Sequence, residues 1–240
     1  MPVASPATYG ILTLSCVLFV VSLLATLRES GSLVPQGGGL GAIFELGSIS
    51  GGVLLRLGES LPLRYNLAQP WRLITAIFLH GSILHILFNM WVLMDVGPQV
   101  EELYGSARFF FVYVVCGIGG YLLSSRFGNV SVGGSGALLG LIGLLLALTM
   151  GRRSMGMQMM RRQLITWLIY IAIMGFAFRG IDNFAHIGGC ATGFILGKIL
   201  AERPPQTPEE RKRAYVMGWA AALAVAASFV FAAFASFGRS

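Results

Sequence analysis

A chain of 240 residues that is 55% hydrophobic and only 11% charged, with a mean hydropathy of +0.75, lacks the mixed surface of a soluble domain. Its net charge of +7 comes from basic residues at the ends of apolar runs, not from an aromatic-interleaved patch, so nucleic acid is excluded as a partner and a lipid bilayer is expected as the solvent. Three cysteines, Cys16, Cys116 and Cys190, lie far apart inside apolar runs and read as small core residues, not as a disulfide framework or a metal cluster.

A helical span needs about 20 mainly apolar residues. Seven spans are predicted, at 8–27, 73–94, 109–123, 135–150, 164–178, 184–200 and 215–237, in one membrane domain covering 1–240. The first run lacks a basic leader region and a small-residue cleavage site, so it reads as a span and not as a signal peptide. Between it and the second lies a long segment, 28–72, rich in Gly and Pro yet carrying the apolar patches Ile43-Phe44 and Val53-Leu54-Leu55. A loop of that length is expected to fold partly on its own, at the outer membrane interface, with Trp71 at headgroup level. The basic stretch 151–163 and the mixed-charge stretch 202–213 read as solvated connectors. Arg152, Arg153, Arg161 and Arg162, with Arg211, Lys212 and Arg213, orient both inward, placing the N-terminus in the cytoplasm and the C-terminus outside.

Polar groups inside spans are costly and therefore informative. All three histidines of the chain, His80, His85 and His186, fall in or beside spans near the outer face. His85 and Asn89, at i and i+4, share one helix face. A glycine-rich run, Gly133-Gly134-Ser135-Gly136-Ala137, enters the fourth span and sets Ser135 at a helix N-terminus, where free N–H groups favour developing negative charge. In the sixth, Asp182-Asn183-Phe184-Ala185-His186-Ile187-Gly188-Gly189 is followed by Gly193 and Gly197. On a helix Gly189, Gly193 and Gly197 lie within about 60° of His186. The fourth span carries its own stripe of Gly136, Gly140 and Gly143, so the two helices are predicted to pack backbone to backbone and bring Ser135 to His186. Asp182 reads better as a helix cap than as a third catalytic residue.

These motifs resemble the rhomboid family of intramembrane proteases, whose Gly-x-Ser-Gly and Ala-His-x-Gly-Gly signatures match here around Ser135 and His186. Trp71-Arg72, His80, His85, Asn89 and Glu101 ahead of Gly105 are similar to the family's upstream motifs in order and spacing, so the resemblance runs from Trp71 to Gly197. It implies an all-α polytopic membrane protein with a six-helix core at about 8–201 and one further C-terminal transmembrane helix at about 215–237. It further implies a serine endopeptidase without cofactor or metal, whose partners are transmembrane protein substrates; the compact seven-span chain with short tails suggests a bacterial inner membrane, and the basic-residue topology has the active site opening outward. Ser135 would attack the scissile carbonyl and His186 would carry the proton, with His85, Asn89 and the Ser135 N–H binding the oxyanion. His80 would have a structural hydrogen-bonding role, Arg72 would shape the long loop, Glu101 the second-to-third connection, and Gly133, Gly136, Gly189 and Gly193 the close packing. The sequence departs from the common family pattern at Gly134, where alanine is usual, and at Leu139, where an aromatic often packs on the histidine. The first change is expected to matter little, the second to weaken the hold on His186. The rival functions are an inactive rhomboid-like binder of membrane clients and a small transporter.

Overall fold

The computed structural model describes residues 5–30, 46–177, 180–200 and 203–237. Among the described residues it contains ten helices and no strand: α1 (Pro6–Ser30), α2 (Gly51–Leu57), α3 (Leu63–Ala68), α4 (Arg72–Thr75), α5 (Ile83–Tyr104), α6 (Ser106–Arg126), α7 (Ser135–Thr149), α8 (Met155–Ala177), α9 (Asn183–Ile199) and α10 (Pro208–Phe237). The chain is an all-α, multi-pass membrane protein. Four helices, α1, α5, α6 and most of α10, are long and apolar enough to cross a bilayer by length and composition. α7 is apolar but has only 15 residues, a length of about 22 Å against a hydrocarbon core of about 30 Å.

Helix boundaries differ from the sequence expectation in three places. The second span was predicted to begin at Leu73, yet α5 starts at Ile83, after a non-helical passage through Ile77, Phe78 and Leu79, all wholly buried. Hydrophobic runs of this length do not distinguish buried helix from buried turn. Ser82 ends the passage by accepting a hydrogen bond from the His85 N–H as the α5 cap, and the passage's backbone is bonded to other segments: Ala76 O accepts from Gly133 N, and Gly81 O from Ile49 N. α8 begins at Met155, so much of the expected basic connector is helix. α10 likewise begins at Pro208 and takes in the charged run Glu209 to Arg213.

The long segment before α5 is folded where it is described; Ile43-Phe44 lie outside the described residues. Arg72, 4% exposed, gathers α2, α3 and their connection by donating to Gln69 Oε1 (2.6 Å), Leu55 O (3.0 Å) and Glu59 O (3.0 Å). Trp71 stacks its ring on Phe231 of α10, 5.7 Å between centroids. Glu101 reaches further than the α5–α6 turn, where its carbonyl accepts from Gly105 N (2.8 Å): its carboxylate accepts from Ala7 N (2.9 Å), Thr8 N (2.8 Å) and Thr8 Oγ1 (2.7 Å). A helix start has free N–H groups and partial positive charge, and a buried carboxylate answers both. Replacing Glu101 with Ala strands those donors, and we expect a loss of about 2–4 kcal/mol, measured as a lower thermal midpoint in detergent, with Glu101→Gln intermediate.

Candidate active site

The site is built where α7 and α9 touch without intervening side chains. A Cβ on Gly189 would fall on the Gly136 carbonyl, and one on Gly193 on the Gly140 carbonyl. On its other side α9 also meets α6 through backbone, though less closely: a Cβ on Gly188 would stand 2.7 Å from Gly119 O and one on Gly120 2.7 Å from Ala185 O. Backbones that close carry side chains on adjacent turns into contact. Ser135, the first residue of α7, and His186, in the first turn of α9, meet with Oγ 2.8 Å from Nε2.

The start of α9 is fixed independently. Asp182 caps it by accepting from Ala185 N (3.0 Å), and also accepts from Asn129 Nδ2 (3.0 Å) and from the Ser124 hydroxyl at the end of α6. Its carboxylate is thus occupied by the cap and by α6, and the partner of His186 is Ser135. The loop before Ser135 is fixed as firmly. Gly133 has φ +124°, a conformation side chains rarely adopt, and a Cβ there would lie 2.6 Å from His85 Nε2. Tyr121 donates its hydroxyl to Gly133 O (2.8 Å), while Gly133 N donates to Ala76 O (2.9 Å).

His85 and Asn89 line the same cleft as Ser135 and His186. The Gly81 N–H lies 3.4 Å from His85 Nδ1, which therefore accepts and leaves Nε2 as the N–H donor. Asn89, 2% exposed, donates one N–H to His85 O (2.9 Å). Ser135 N belongs to the first turn of α7 and has no intrahelical partner. His80 lies in the turn before α5 rather than on a helix; its ring packs edge-on against His85, 5.2 Å between centroids, and neither nitrogen makes a hydrogen bond among the described residues. Leu139 is buried in the cleft wall.

The cleft has a volume of about 700 Å³ and runs between α5 and α8. Phe88 and Trp91 of α5 meet Trp167 of α8, the two indoles 5.1 Å apart, and Asp95 accepts from Trp167 Nε1 (2.6 Å) and Gln163 Nε2 (2.9 Å). Sequence reasoning offers Trp167, Tyr170 and Phe176 of the fifth span as a gate, but it missed Asp95, one residue past the expected second span, as the tie across the seam.

The sequence profile of the Rhomboid domain matches residues 67–203, more than half of the chain. The chain belongs to the rhomboid family. It is 40% identical over 131 residues to rhomboid protease GluP of Bacillus subtilis (strain 168), covering 54% of this chain and 26% of that protein. To the putative rhomboid protease YdcA of the same organism it is 35% identical over 146 residues, 58% of this chain and 73% of YdcA. With RHOMBOID-like protein 2 of Arabidopsis thaliana the identity is 43% over 141 residues, 57% of this chain and 44% of the plant protein. The aligned stretch is less than half the length of several of these relatives, among them RHOMBOID-like protein 6 at 47%. Because α7 and α9 meet through glycine, Gly189→Ala is expected to force them apart, costing about 1–3 kcal/mol and breaking the Ser135–His186 contact. A thermal melt combined with a cleavage assay should show both losses together.

Proposed function

We propose that the protein is an intramembrane serine endopeptidase that hydrolyses peptide bonds in or near transmembrane segments of other membrane proteins. The observation that carries this is the 2.8 Å contact between Ser135 Oγ and His186 Nε2 in a cleft between helices; relatives named as proteases support it. In this reading His186 Nε2 takes the Ser135 proton as Oγ attacks the scissile carbonyl carbon. The oxyanion that forms accepts hydrogen bonds from Ser135 N–H, His85 Nε2–H and the second N–H of Asn89, the last two one helical turn apart on α5. His186 then passes its proton to the leaving amine, the acyl group remains on Ser135, and a water deprotonated by His186 releases it and restores the hydroxyl. The residues supply every proton transfer, and the mechanism calls on no cofactor or metal.

Substrates enter from lipid between α5 and α8, where the cleft is walled by Phe88, Trp91, Ile171 and Met174. A transmembrane helix hides its carbonyls in hydrogen bonds, so cleavage falls where the substrate unwinds, near small or helix-breaking residues. Orientation follows the basic residues. Arg152, Arg153, Arg161, Arg108 and Lys198 stand at the helix ends opposite Ser135, which supports a reading with that end in the cytoplasm and the cleft at the outer face of a bacterial inner membrane. Cleavage of a generic transmembrane reporter by purified wild type, but not by Ser135→Ala or His186→Ala, is the expected result. Equal cleavage by all three would refute the assignment. Binding of the reporter by wild type without cleavage would favour an inactive client-binding protein.

A further inference from the structure

Two polar atoms lie buried behind the Ser135 loop. The Tyr113 hydroxyl, on α6, and Asn89 Oδ1, on α5, make no hydrogen bond among the described residues, although Tyr113 is 0% and Asn89 2% exposed. Such atoms are costly to leave unpaired. They also border one point in space. A Cβ built on Gly134 would stand 2.5 Å from the Tyr113 hydroxyl and 3.6 Å from Asn89 Oδ1, so the two atoms lie within about 6 Å of each other. One carries a proton and the other only lone pairs, so they are chemically matched.

The far end of the Asn89 amide matters for the mechanism. One N–H is held by His85 O at 2.9 Å, and the amide is planar, so whatever fixes Oδ1 also aims the remaining N–H. The Tyr113 ring is itself fixed, packed 6.1 Å from Phe78 and 6.5 Å from Phe109 between centroids. If packing were its whole purpose, phenylalanine would fill the site without burying a hydroxyl. Gly134 has the complementary property: its missing methyl leaves the space that the hydroxyl occupies. The departure from the family pattern that was expected to matter little is therefore coupled to Tyr113.

The geometry points to Tyr113 as a positioning residue for the oxyanion site: its hydroxyl reaches Asn89 Oδ1 through one bridging water and holds the amide with Nδ2 toward the cleft. Gly134 is glycine because this hydroxyl needs the room. The inference rests on the serine-protease reading above.

The test is a double-mutant cycle on cleavage of the transmembrane reporter, with thermal midpoints measured alongside. Tyr113→Phe lowers kcat roughly tenfold with KM unchanged and lowers the thermal midpoint by no more than the loss of one buried hydrogen bond; Asn89→Ala lowers kcat more, by the ~10²–10³-fold typical of a lost oxyanion donor. The double variant is no slower than Asn89→Ala alone. Gly134→Ala lowers the thermal midpoint of wild type but not of Tyr113→Phe. Full kcat in Tyr113→Phe, losses that multiply in the double variant, or an equal effect of Gly134→Ala in both backgrounds would overturn the inference while leaving the protease reading standing. Cleavage that survives Ser135→Ala would instead overturn the reading beneath it.

Discussion

The rest of the site depends on the absence of side chains between α7 and α9. Gly136 and Gly140 on one helix face Gly189 and Gly193 on the other so closely that any Cβ on the latter pair would occupy a carbonyl of the former. In lipid there is little hydrophobic gain from bringing two helices together, and association relies on close packing and interhelical hydrogen bonds. Glycine permits the first, and the approach it allows produces the second in the Ser135–His186 contact. α6 presses on α9 from the other side through Gly119 and Gly120. His186 therefore rides on a helix held between two neighbours, and its ring position is set by backbone rather than by adjustable side chains.

Around this junction the charged and amide groups are used as fasteners. Asp182 joins the start of α9 to the end of α6, Arg72 gathers the short helices before α5, Glu101 receives the start of α1, and Asp95 ties α5 to α8. The three carboxylates satisfy backbone or side-chain donors, and Arg72 satisfies carbonyl acceptors, that would otherwise be stranded. The α5–α8 seam differs from the others. It rests on one carboxylate and a patch of aromatic rings beside the cleft, where the proposed entry of a substrate helix requires the two helices to part.

What could be read from the sequence follows how local the signals are. The contact of Ser135 with His186 was legible because each sits in a short glycine-rich motif, and small residues at helical spacing state which faces meet. The cap at Asp182 is local too, acting within three residues of itself. Glu101 was not legible, because its partners lie 93 and 94 residues away at the start of α1, and no pattern on α5 announces them. The passage 76–82 was misread as helix because its buried apolar residues satisfy either conformation; its backbone bonds to Gly133 and Ile49 are long-range facts. His80 was placed on a helix for the same reason. Tyr113 gave no signal at all, since an aromatic in an apolar run reads as core.

The central claim is that Ser135 is a nucleophile because His186 stands against it. It is tested most directly by exposing the intact protein in detergent to a serine-directed phosphonate and mapping the adduct by mass spectrometry. The account predicts one adduct, on Ser135, in wild type, and its loss in His186→Ala at an unchanged thermal midpoint. Labelling of Ser135 at the wild-type rate without His186, or no adduct on Ser135 in folded wild type, would contradict it.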